Sequence, residues 1–178
     1  SSTNASIVDS LTSIENVEIY DENTNLTLAT TSWASATNVT LTRGDGSLAL
    51  TLGTNATTVN LTDIVVIAAD MTINAAATAT SLTLGLDKIT VTNTASEDVV
   101  ITGAALTTLN VNTTGTASTF DVLNADAATS INLNAAAALT TTLATTGTAT
   151  LTITGSAAVD LGVLDADINT VTATSATG

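Results

Sequence analysis

The chain has 178 residues, 16 Asp and Glu against 2 Lys and Arg, a formal net charge of −14, and neither His nor Cys. Those absences remove imidazole bases, thiolate nucleophiles, zinc clusters and Ser-His-Asp arrangements, and they leave Lys88 as the single amine for lysine chemistry. Two cations cannot supply the basic footprint that nucleic acid requires, so DNA and RNA are excluded and divalent cations become the natural counter-partners.

Apolar residues alternate with Thr or Asn from end to end, the period of strands with one face buried. In chain order the predicted strands centre on Val17-Glu18-Ile19, Leu26-Thr27-Leu28, Val39-Thr40-Leu41, Leu48-Ala49-Leu50, Val59-Asn60-Leu61 and Met71-Thr72-Ile73. The series continues with Leu82-Thr83-Leu84, Ile89-Thr90-Val91, Leu109-Asn110-Val111, Ile131-Asn132-Leu133, Leu151-Thr152-Ile153 and Val159-Asp160-Leu161. Strands starting about every 10 residues suit a β-sandwich as well as a solenoid.

Two features favour the solenoid. Leu109, Ile131, Leu151 and Val171 open equivalent segments at intervals of about 20 to 22 residues, and Phe120 to Asp126 is echoed by Leu161 to Asp167 about two periods later. Tight-hairpin chemistry is also scarce, with Asp45-Gly46 the lone Asp-Gly or Asn-Gly step and no Pro anywhere. The expected fold is therefore all-β, a parallel β-solenoid (β-helix) with coils of about 20 residues and two or three strands each. A β-sandwich is the alternative. Residues 1–178 read as one such domain, a segment or protomer of a larger assembly, with eight or nine coils in a rod roughly 40 Å long.

With aromatics at 2% of the chain, the core must come from Val, Ile, Leu, Ala and Thr, which suits a narrow interior repeated many times. The Ala75-Ala76-Ala77 and Ala135 to Ala138 runs are expected to turn or line that interior; a short helix is the competing reading. Thr140-Thr141-Thr142 argues against extending such a helix, since β-branched residues favour the pleated sheet. The longest apolar run, Ile64 to Ala69, falls far short of the roughly 20 residues of a membrane span, so no transmembrane segment is expected.

Leu11-Thr12-Ser13-Ile14-Glu15-Asn16-Val17-Glu18-Ile19 resembles units in the repetitive β-strand regions of Gram-negative bacterial surface-layer (S-layer) proteins and related large secreted adhesins. Thr107 to Val111 and Asn169 to Ala173 look like the same unit without its glutamates. The resemblance implies a calcium-dependent, β-helical, exported protein assembled into a cell-surface lattice. Gly-Gly-x-Gly-x-Asp nonapeptides, which often bind calcium in that family, have no match; Arg43-Gly44-Asp45-Gly46 is the nearest fragment.

Asp70, Asp126, Asp165 and Asp167 each follow an apolar stretch, and stacked turns would put Asp126 and Asp167 at equivalent positions where hard oxygen ligands hold Ca²⁺. The plainer reading, which we prefer, is that these aspartates bond their own turns. Glu15, Glu18, Asp21 and Glu22 form the densest acidic cluster and raise a glycosidase-type carboxylate pair, but Trp33, Tyr20 and Phe120 are the whole aromatic supply for a sugar platform. Sequons at Asn4, Asn25, Asn38, Asn55, Asn60 and Asn112 carry little weight in a chain this rich in Ser and Thr. Thr40/Thr42, Thr90/Thr92, Thr152/Thr154 and Thr172/Thr174 would form outward ladders of the kind used to bind ice.

The reading favoured at this point is a non-enzymatic structural protein at the bacterial cell surface, extracellular, with copies of itself as partner in a lattice or filament. An adhesin or autotransporter passenger stalk is the second reading, and an ice-binding or carbohydrate-active β-helix a third. Contact with outer-surface glycan or lipopolysaccharide would run through other domains.

Overall fold

The computed structural model describes residues 13–20, 25–44, 47–66, 70–91 and 98–174. Among them are fifteen strands and no helix: β1 (Asn16–Tyr20), β2 (Asn25–Ala29), β3 (Asn38–Thr42), β4 (Ser47–Thr51), β5 (Thr58–Val66), β6 (Met71–Asn74), β7 (Ser81–Val91), β8 (Asp98–Thr102), β9 (Thr108–Thr113), β10 (Ser118–Asn124), β11 (Ser130–Ala135), β12 (Leu139–Ala144), β13 (Ala149–Gly155), β14 (Val159–Asp160) and β15 (Ile168–Ala173). Each pairs in parallel with the strand one coil away, so the chain is a β-solenoid and not a sandwich.

Three ladders run along the axis. The first stacks β1, β3, β5, β7, β9, β11, β13 and β15. A second stacks β2, β4, β6 and β8, and continues through Val122–Asn124 of β10 and Thr142–Ala144 of β12. The third is made by the far ends of β5 and β7, the near ends of β10 and β12, and β14. At about 4.8 Å per step the eight strands of the first ladder span about 34 Å.

Register confirms the repeat read from the sequence. Leu109, Ile131, Leu151 and Val171 are consecutive rungs of one column. Asn16 lies opposite Asn38 and Asn38 opposite Thr58, steps of 22 and 20 residues. In the middle the steps lengthen to 25, with Thr58 opposite Thr83, and 27, with Ser81 opposite Thr108. Part of that surplus enters between Val91 and Asp98, since Val66 opposite Val91 is a step of 25 and Met71 opposite Val99 a step of 28.

Alternation puts one residue type on each side. Val39, Val59, Leu84, Val111 and Leu133 stack inward in a buried column, while Asn38, Thr58, Thr83, Asn110 and Asn132 stack outward beside it. The neighbouring inward column tapers along the axis, Leu41, Leu61, Leu86, Thr113, Ala135, Gly155, and Phe120 enters the core in the coil that holds Thr113. At about 25 cal/mol per Å² of apolar surface, these columns of fully buried Val, Leu and Ile supply the main drive for folding without aromatic rings.

The alanine runs form no helix. Ala75 and Ala76 are buried at a turn, and Ala135 and Ala137 line the interior where the column narrows. Small residues also occupy the corner after the second ladder, where Ala36, Ala56 and Ala128 are buried and each closes a short turn through its backbone N–H.

Buried hydroxyls join the coils. Thr113 Oγ1 donates to the Ala137 carbonyl and accepts from the Ala137 N–H at 3.2 Å, and Thr30 Oγ1 accepts from the Gly53 N–H at 3.0 Å. Ser118 Oγ accepts from the Ile89 N–H at 3.1 Å. These three side chains are fully or almost fully buried, and each is bonded to backbone that a flat ladder would leave unpaired at a corner.

Candidate functional site

The four candidate metal aspartates are not gathered into one place. Asp70 precedes β6 on the second ladder, whereas Asp126, Asp165 and Asp167 follow that side, in the turns that lead back to the first ladder. Asp165 Oδ1 accepts from the Asp167 N–H at 3.0 Å, and Asn124 Oδ1 accepts from the Asp126 N–H at 3.2 Å. The two turns are thus built alike, two coils apart, with Thr146 between them donating its hydroxyl to the Asp126 carbonyl at 3.1 Å. Asx-type bonding accounts for Asp165, and Asn124 has the matching role beside Asp126. Among the described residues no three carboxylates converge as a cation cage.

Of the acidic N-terminal cluster, Asp21 and Glu22 lie outside the described residues. Glu15 serves through its backbone, its carbonyl accepting from the N–H groups of Thr37 and Asn38 at 2.9 and 3.0 Å. Glu18 points outward from β1 and accepts a long bond from Thr42 Oγ1 at 3.5 Å. Trp33 and Phe120 are core residues, so neither offers a sugar platform; Tyr20 alone of the three is exposed.

Both cations of the chain occupy one corner, a feature the sequence reading missed. Arg43, Asp63 and Lys88 each come one residue after the paired positions Thr42, Thr62 and Asp87, so they stack in successive coils. All three adopt left-handed backbone, with φ of 62, 54 and 58°, where the chain turns from the first ladder to the third. Lys88 Nζ meets Asp63 Oδ1 at 2.5 Å. That hydrogen-bonded ammonium holds the Asp63 carboxyl below its ordinary value, with a smaller contribution from the Arg43 charge. The one trait the three share in the sequence is position, each two places after an inward leucine, Leu41, Leu61 or Leu86, and that spacing does not by itself reveal that they stack. In the next coil Gly115 takes the same corner at φ 62°, with the Asp87 carboxylate packed over it and accepting from the Thr116 N–H at 2.8 Å.

The first ladder, with eight strands, is the longest of the three, and its outward side is regular. From β9 to the end of β15 it presents Thr108, Asn110, Asn112; Ser130, Asn132, Asn134; Thr150, Thr152, Thr154; and Thr170, Thr172, Thr174. Thr152/Thr154 and Thr172/Thr174 do stack as outward pairs, but the rungs above them are Asn, and Thr40/Thr42 is displaced by one column. Thr92 lies outside the described residues. Side chains bond along the axis: Asn132 Nδ2 donates to Asn110 Oδ1 at 2.9 Å, and Asn38 Nδ2 to Asn16 Oδ1 at 2.7 Å. Sequon residues Asn38 and Asn60 are rungs of this array, Asn60 bonding Thr40 at 3.4 Å. Sequon Asn4 and the Asp45-Gly46 step lie outside the described residues.

Among the described residues, two open clefts stand out. One of about 550 Å³ crosses four coils beside the second ladder and is lined largely by small apolar residues such as Ala75, Ala76 and Ala104. The other, of about 270 Å³, lies near the C-terminal end between Phe120, Asp121, Thr140 and Asp160. Neither brings together a nucleophile, a base and an oxyanion donor. No known family, no curated protein and no solved structure matches the chain.

Proposed function

We propose that the chain is a structural module of an extracellular bacterial surface layer or filament, built to associate with copies of itself. The observation that carries this reading is the regular stack of parallel coils, whose first ladder presents repeated Ser, Thr and Asn rungs outward from β9 to β15. The regular stack of coils, the residue types that rule out most catalytic apparatus, and the scarcity of charge on its longest ladder all fit a scaffold better than a catalyst.

Electron microscopy of the purified chain at rising concentration, with and without calcium, tests it. Ordered sheets or filaments support the reading. Monodisperse rods at every concentration overturn it and favour an adhesin stalk.

A further inference from the structure

We infer that the outward Ser/Thr/Asn side of the first ladder is a sheet-to-sheet contact, and that its occupant is the same side of a second copy of this chain. The inference rests on the self-association reading and specifies its surface. Twelve side chains, from Thr108 on β9 to Thr174 just past β15, form three columns in four coils without a single charge, in a chain of net charge −14. None of the twelve is buried. Carboxylates lie outside these four coils of the face: Glu18 and Asp87 in earlier coils of the ladder, Asp70 and Asp121 on the other sides, and Asp126, Asp165 and Asp167 in turns. Two such chains approaching through the turns that hold Asp126, Asp165 and Asp167, or through the rim at Asp87, bring like charges together, a juxtaposition that costs several kcal/mol at an interface.

The surface has the geometry that mates with itself. Parallel strands in register, about 4.8 Å apart, with asparagine ladders, no Pro and no charge, are the elements of interdigitating sheet pairs. Asn132 and Asn110 are already bonded along the axis, so their side chains are ordered before contact. Because the columns repeat, a two-fold axis lying in the plane between the two faces sets each rung against an equivalent one. The area bounds the strength. Three columns about 6.7 Å apart over four coils about 4.8 Å apart give roughly 400 Å² per copy, under the roughly 800 Å² per partner of specific complexes. One such contact is weak, and repetition along an assembly supplies the avidity.

Sedimentation of the native chain across a wide concentration range, compared with an Asn134→Asp/Thr152→Asp pair, tests the inference. Thr142→Asp on the second ladder is the charge control, and Asn134→Thr/Thr152→Asn keeps the face neutral. We expect the charged pair to weaken association by at least about tenfold, with the control and the neutral pair close to native and all melting cooperatively. If the charged pair unfolds, Thr150→Asp, at an exposed rung, is read in its place. Native association that the charged variants leave unchanged overturns this face while self-association stands. A native chain that never associates overturns both, and one that stays monomeric but facets growing ice crystals assigns the array to ice.

Discussion

Replacing Thr113 separates hydrogen bonding from hydrophobic burial inside the solenoid. Thr113 is fully buried in the inward column between Leu86 and Ala135, and its hydroxyl is bonded to both the N–H and the carbonyl of Ala137. Thr113→Val keeps the shape and exchanges the hydroxyl for a methyl, which by area alone should stabilise by about 1 kcal/mol. Against that, two buried backbone groups of Ala137 lose their partner, at about 1 to 3 kcal/mol each when left unsatisfied. The second effect is larger, so the variant should be less stable by about 1 to 5 kcal/mol. Thr113→Ser keeps the hydroxyl and loses a methyl, at a cost of about 1 kcal/mol. The expected order is native, then Ser, then Val, read from urea midpoints at equal m-values. A Val variant as stable as native would refute the assignment of Thr113 as the bridge between coils.

Lys88→Met should return the Asp63 carboxyl to its ordinary range, observed by NMR titration. In the native chain the lowered Asp63 pKa contributes stability above the unfolded value of about 3.9 that is lost as pH falls through the folded value, so the variant loses that acid-range dependence. Gly155→Ala should destabilise by at least about 2 kcal/mol, because Gly155 has φ 104° and an added Cβ would overlap the Ala135 backbone; a melt within error of native would refute this. Millimolar calcium should leave the melting midpoint of the isolated chain unchanged, since Asp165 already bonds its own turn; a rise of several degrees would show that Asp126, Asp165 or Asp167 takes part in a cation site.

The alternation was enough to place twelve strand segments and the interval of the repeat, because inward and outward environments differ so strongly that Val-Thr-Leu or Leu-Asn-Val has one stable orientation. Strand β12, Leu-Thr-Thr-Thr-Leu-Ala, escaped that reading because it turns a corner and its buried positions include Thr141 as well as Leu139 and Leu143. Strand β8 escaped it because Val99-Val100-Ile101 shows no polar residue at the outward rung. Phe120 was legible as part of an echo, and the structure places it in the core, facing the interior two coils before Leu161. What periodicity could not reveal was the charged corner. Left-handed backbone at Arg43, Asp63 and Lys88 has no Gly or Asn-Gly signature, and the stacking of their charges depends on a register that varies from 20 to 25 residues.

The neutrality of the first ladder follows from the fold itself. In a parallel solenoid each outward position faces the equivalent position of the next coil about 4.8 Å away, so a charge repeated once per coil would stand beside its like for the whole length of the rod. Two like charges about 4 Å apart cost about 1 kcal/mol in water and more near a protein surface, and a column of eight would compound that at every step. Thr hydroxyls and Asn amides avoid the repulsion and bond along the column, as Asn16 with Asn38 and Asn110 with Asn132 do. Where charges do stack in successive coils at the rim of this ladder, they alternate in sign, Arg43, Asp63, Lys88. The charged residues that remain on the outward side, Glu18 and Asp87, lie in different columns three coils apart. The rule that lets identical rungs stack within one chain is therefore the same rule that leaves one broad side able to meet a second acidic copy without repulsion.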